Sequence, residues 1–240
     1  MGYQNFLENN SATDSALEVL DIIVGIPRQV ERTSAKEAKI FAQEDSFYGQ
    51  FSKNFNHLVF SDTVVFTLNY PKQSNPDWIN RARHTMSYYS SILFAEMFKN
   101  GLPMRGVIHE GDFISKEMCF AGKGIVEAYQ LCESLNMSGL VFSEQLSKDI
   151  DKDNSDSEES HFTYLTPMKN GGEIKLLNIN WLEYLDDNEI SLCKNDIENY
   201  VLKSFWGHQK DCSNAVDIKV RNTVKVMRKM LLNPHFVDSV

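Results

Sequence analysis

A chain of 240 residues with 42% hydrophobic content is long enough for one large or two small domains around a packed core. Its formal net charge of -9 excludes a general nucleic-acid binder that works through bulk charge, while local arginines, lysines or metal ions still allow triphosphate binding. No apolar run approaches the ~20 residues that span a bilayer, and the start Met1-Gly2-Tyr3-Gln4 lacks the basic head and apolar stretch of a signal peptide.

The four cysteines, Cys119, Cys132, Cys193 and Cys212, form neither a CxxC pair nor a short zinc spacing, so reduced thiols in a cytoplasmic protein are expected. His109-Glu110 opens no HExxH motif, and the six histidines are scattered. Ala16, Leu20, Ile23 and Val24 recur at helical spacing, with Ser11 or Thr13 as cap and Pro27 as stop. Asp21 then falls on the helix surface. Glu31 to Asn56 is mixed and polar and reads as a second helix.

His57 to Leu68 reads as two strands of β-forming residues with a tight polar turn, Ser61-Asp62, between them. An acid at such a tip points away from the sheet surface, although Asp also occurs in turns simply because it bonds its own backbone. After the loop Tyr70 to Pro76, Asn75 caps a long helix with Pro76 at its first position. Ile79, Ala82, Met86, Tyr89, Leu93 and Met97 form its core stripe, and Asn100-Gly101 with Pro103 end it.

Met104 to Ile108 is a strand carrying Arg105, beside Gly106, which permits close approach. Gly111 to Phe120 turns and returns as a further strand. Ala121-Gly122-Lys123-Gly124 then opens a helix with Ile125, Ala128, Cys132 and Leu135 toward the core, followed by a short strand, Leu140-Val141-Phe142. Asp149 to Ser160 carries six acids and no aromatics and reads as a solvated loop. Phe162 to Leu165 and Ile174 to Ile179 form a hairpin through Asn170-Gly171-Gly172. Ile197 to Trp206 and Asp217 to Leu232 are closing helices. The last has Val220, Val224, Met227 and Leu231 inward and Lys219, Arg221, Lys225, Arg228 and Lys229 outside.

The order strand, Asp turn, strand, helix, Arg-Gly strand, Gly-rich loop, helix resembles the class III nucleotidyl cyclase catalytic domain over Gly2 to Ser143. Within that class it is most similar to the short bacterial cyclases that make cyclic pyrimidine nucleotides in anti-phage defence, the Pycsar type. The resemblance implies an α+β, ferredoxin-like cyclase fold with a mostly antiparallel sheet covered by helices. The cyclase-like domain would span residues 1–185 and a C-terminal helical extension residues 186–240, with an acidic loop at 149–160. It also implies a head-to-tail homodimer, two divalent metal ions (Mn2+ or Mg2+) and a functional link to a cyclic-nucleotide-sensing effector.

Such a cyclase joins the ribose 3′-oxygen to the α-phosphate and expels pyrophosphate, which demands positioning and charge neutralisation. By resemblance, Asp62 matches the second metal-binding Asp, and Arg105 the guanidinium that contacts the triphosphate. A guanidinium suits that role because its fork donates two bonds to phosphate oxygens; the plain alternative for Arg105 is a strand arginine paired with a carboxylate. Backbone amides around Gly2, Tyr3 and Phe6 would cradle phosphates. The strand bearing the first metal Asp would lie before Met1, so either the start lies upstream or that ligand is lacking.

Purine cyclases of the class place an Asn and an Arg one turn apart where this chain has Val126 and Gln130. Their purine-specifying Lys and Asp fall at Leu58 and near Cys119, so the adenine pocket is missing. Tyr129 and Gln130 could read a base instead. These departures fit a pyrimidine cyclase acting on UTP or CTP and equally a catalytically inactive cyclase-like binding module. An RNA-recognition sheet is disfavoured, since Val65-Phe66 is followed by no basic cluster before Lys72.

Overall fold

The computed structural model describes residues 21, 24, 25, 28, 32, 36, 47–60, 63–70, 74–116, 119–153, 160–206 and 214–232. The chain divides into two compact units, Met1–Tyr89 and Ser90–Val240.

In the first unit, Asp21 is helical and exposed, as its place on a helix surface requires. Helix α1 (Phe47–Asn54) leads directly into strand β1 (Phe55–Phe60), which pairs antiparallel with β2 (Thr63–Leu68). The register runs from Phe55↔Leu68 to Phe60↔Thr63. Phe51 stacks on Phe55 at 5.5 Å, and Phe55 reaches Phe66 at 5.4 Å. Phe47 meets Trp78 at 5.6 Å and carries the Arg81 guanidinium 4.4 Å above its ring. An aromatic cluster of this kind stabilises a small unit through large buried area and offset ring contacts.

Helix α2 (Pro76–Lys99) starts as its sequence dictates. The Asn75 side-chain oxygen accepts from the Asp77 amide at 2.9 Å. Ala82, Tyr89, Leu93 and Met97 are buried on one stripe. The helix ends in the second unit with a paired closure: Gly101 N–H donates to Phe98 O and Leu102 N–H to Met97 O, with Gly101 at φ 78°. That left-handed residue is why glycine stands there.

The second unit is built on a four-stranded sheet in the order β3-β6-β8-β7, from β3 (Arg105–Ile108), β6 (Gly139–Phe142), β7 (His161–Pro167) and β8 (Glu173–Ile179). The β3–β6 pair is parallel, and the other two pairings are antiparallel. Gly106 lies directly opposite Leu140, and a Cβ there would come within 2.6 Å of Leu140 Cδ1. The crossover from β3 to β6 contains β4 (Ile114–Lys116), β5 (Cys119–Ala121) and helix α3 (Lys123–Ser134). The return expected from Gly111 to Phe120 is thus a small hairpin of its own, since β4 pairs with β5. The hairpin through Asn170-Gly171-Gly172 forms as expected.

The acidic stretch differs from its expectation as a loop. Its first part continues helix α4 (Glu144–Asp153), while residues 154–159 lie outside the described residues. Two features hold the helix against its charge. Leu146 and Ile150, one turn apart, are buried, and Lys148 pairs with Glu144 at 2.7 Å across one turn.

A 3₁₀ turn (Trp181–Tyr184) and helices α5 (Asp187–Asn195), α6 (Ile197–Trp206) and α7 (Asn214–Leu231) complete the unit. Trp181 is fully buried, with ring centroids 4.9 Å from Phe94 and 4.8 Å from Phe98. Helix α5 is an addition to the expected elements; Asp186 caps it by accepting from the Glu189 amide at 3.0 Å. Cys193, Val201, Phe205, Val224 and Met227 share one core with the sheet, so the C-terminal helices pack on it. No helix among the described residues is long and apolar enough to cross a membrane.

Candidate functional site

Of the expected site residues, Arg105 and Gln130 are described; Asp62, Gly2, Tyr3 and Phe6 lie outside the described residues. Arg105 opens β3, where the parallel β3–β6 pair begins opposite Gly139. Its guanidinium is held by the end of α3. Nη1 donates to the Glu133 carbonyl at 2.9 Å, and Nη2 donates to Glu133 Oε1. The Arg105 side chain is four-fifths buried and that of Glu133 about half exposed, so water screens the pair on the carboxylate side only. The fork of Arg105 is therefore committed to Glu133 in this state, one prong to its carbonyl and one to its carboxylate, the plain alternative for a strand arginine.

Glu133 has a second cation. Lys169, at the tip of the β7–β8 hairpin, lies 3.5 Å from Glu133 Oε2. The hairpin tip is fixed there by backbone bonds: Lys169 N–H donates to Ser134 O at 2.8 Å, and Asn136 N–H donates to Pro167 O at 2.9 Å. Cys132 Sγ donates to the Arg105 carbonyl at 3.2 Å. Burial pushes the Cys132 thiol up, more than the Arg105 charge lowers it, which disfavours the thiolate.

Gln130 stands three residues before Glu133 and four after Val126, so helix geometry sets these three side chains along one flank of α3. Val126 and Tyr129 are more than half exposed, and Gln130 is exposed. The two positions that differ from purine cyclases thus face outward on the flank whose end holds Arg105.

The glycines at the start of α3 serve close packing. Gly122 has φ 149°, and a Cβ on it would fall 2.6 Å from both Asp112 O and Phe113 Cα. Gly124 donates its N–H to Asp112 O at 3.1 Å and lies so near Gly111 that either Cβ would clash with backbone. Lys123, between them, pairs with Glu127 at 3.2 Å. His109 Nε2 lies 3.4 Å from Glu127 Oε2, near enough for charge attraction, yet it is buried without a hydrogen bond among the described residues.

Lys219 stands apart from its sequence expectation. The helical pattern places it on the outside of α7, but it is half-buried. Two bonds turn that helix face inward: Ser138 N–H donates to Thr223 Oγ1 at 2.9 Å, and Asn222 Nδ2 donates to Asn136 O at 2.8 Å. Lys219 stands one turn earlier on the same helix. Burial lowers its pKa, and the charges of Arg105 and Lys169 add to that, while Glu133 acts in the other direction.

No group of three or more His, Cys, Asp or Glu side chains fit to hold a metal occurs among the described residues. These residues supply no donor set for the two ions that the resemblance implies. A cleft of about 310 Å³ lined by Phe98, Lys99, Glu189, Tyr200 and Lys203 contains none of the expected site residues. No protein-family model, no curated protein and no solved structure matches this chain.

Proposed function

We propose that the chain is a cytoplasmic, homodimeric nucleotidyl cyclase of ferredoxin-like fold that converts UTP or CTP to a 3′,5′-cyclic nucleotide and pyrophosphate as an antiviral signal to a cyclic-nucleotide-sensing effector. One observation carries the reading: the described elements run β1, its antiparallel partner β2, a capped long helix, the Arg105 strand, a glycine-led turn and α3, with Asp62 of the sequence between β1 and β2. That is the order in which the cyclase class strings its site residues. In this reading Arg105 binds the triphosphate and must exchange its Glu133 carboxylate for a phosphate oxygen to do so. Asp62 keeps its expected metal role, although the described residues hold no donor set for an ion.

The Arg105–Glu133 pair favours a second reading, a cyclase-like module that binds a nucleotide without chemistry. Incubation with each of the four nucleoside triphosphates and Mn2+, with chromatographic detection of products, separates the two. A cyclic pyrimidine nucleotide plus pyrophosphate, lost in Asp62→Asn, supports the enzyme. Absence of product with retained nucleotide binding supports the module, and absence of both removes the cyclase reading altogether.

A further inference from the structure

Three cations from separate elements gather about one seam: two meet on Glu133, and the helix of the third is pinned to Asn136 and Ser138, which also bond Pro167 and Met104. Arg105 comes from β3, Lys169 from the β7–β8 hairpin tip and Lys219 from α7. One carboxylate, Glu133, serves the first two. The Lys219 ammonium makes no hydrogen bond or ion pair among the described residues. Long cationic side chains ordinarily turn their heads to water and avoid one another. Here Thr223 and Asn222, about one turn further along α7, are bonded to the 136–138 segment, and Lys219 is half-buried. Like charges gathered in a partly desolvated place repel, and each added cation raises the cost unless an anion joins them.

We propose that Arg105, Lys169 and Lys219 form a binding site for a multivalent oxyanion of the polyphosphate class, with Glu133 as the internal carboxylate that such an anion displaces. The chemistry favours this class. Two ammonium groups supply point charges, a guanidinium supplies a two-pronged donor, and together they exceed Glu133 by two charges. A monovalent anion would leave the site positive, whereas pyrophosphate or the tail of a nucleotide neutralises it. Burial, then the charges of Arg105 and Lys169, lower the Lys219 pKa, which accords with an excess of positive charge about Glu133. The site shares Arg105 with the proposed cyclase, but its occupancy needs no catalysis.

The test is calorimetric titration of the whole protein with inorganic pyrophosphate, without divalent metal, at fixed ionic strength set by sodium chloride. CTP and UTP titrated under the same conditions distinguish a free polyphosphate from a nucleotide tail. The site predicts saturable pyrophosphate binding that weakens at least tenfold in Lys219→Met and in Lys169→Met and is unchanged in Lys225→Met, an exposed position on the same helix. Thermal melts without ligand check that each variant folds. Binding equal in Lys219→Met and the parent, or no saturable binding to the parent, overturns the site. Cyclic-nucleotide formation is scored separately, so the site fails without the enzyme failing, and the reverse.

Discussion

At the residue scale, what a side chain can bind depends on what it already holds. Arg105 gives one prong to the Glu133 carbonyl and one to its carboxylate, so an anion that takes the second prong competes with that carboxylate. Glu133→Gln keeps the shape and removes the charge. It should raise pyrophosphate affinity several-fold in the same titration, whereas a purely structural Glu133 would leave affinity unchanged and lower only the melting temperature. The cysteines make a second case. Cys119 is exposed and Cys193 is fully buried, with its thiol pushed up to about 12 by burial and then by Glu189. In the native protein at pH 8, peptide mapping after brief alkylation should find Cys119 modified and Cys193 intact. A raised thiol pKa also makes stability depend on pH. The folded state keeps the Cys193 proton where the unfolded chain loses it, so the stability this thiol contributes is full below pH 9 and falls as pH rises from 9 toward 12. Urea melts of Cys193→Ala should show less of that alkaline loss than the parent.

At the element scale, local chemistry decides where pieces begin and end, and most of it can be read in the sequence. Asn75-Pro76 starts α2 and Asn100-Gly101 stops it because a side-chain acceptor and a left-handed residue fit one geometry each. Asn75→Ala should cost about 1 kcal/mol in denaturant unfolding, the usual worth of such a cap. Gly122→Ala should cost about 1–3 kcal/mol, since its φ of 149° and the 2.6 Å approach to Asp112 O leave a methyl no room. What is not legible has a physical reason. The acids of α4 suggest a solvated loop, yet two buried residues one turn apart, Leu146 and Ile150, outweigh them. Charge density alone carries no information on what lies beneath a helix. Lys219 is hidden for the same reason in reverse: its neighbours in sequence are basic, and only the pinning of Thr223 and Asn222 to the 136–138 segment shows that its face is inward.

At the scale of the whole molecule, the sequence holds the order of the elements from β1 to β6 and the place of Arg105 at the opening of its strand. It does not hold the company that Arg105 keeps. Glu133, Lys169 and Lys219 are 28, 64 and 114 residues further on, and what brings their elements together is the bonding of the β7–β8 tip and of α7 to the 134–138 segment. Contacts of that separation leave no local pattern to read. Asp62 remains an expectation from resemblance and lies outside the described residues. The most direct measurement is therefore product analysis after incubation of the protein with UTP or CTP and Mn2+. A cyclase of this kind should yield a 3′,5′-cyclic pyrimidine nucleotide with one pyrophosphate per turnover, abolished in Asp62→Asn and reduced at least a hundredfold in Arg105→Ala, about 2.7 kcal/mol of transition-state stabilisation. Intact triphosphate after prolonged incubation with all four nucleotides would contradict it.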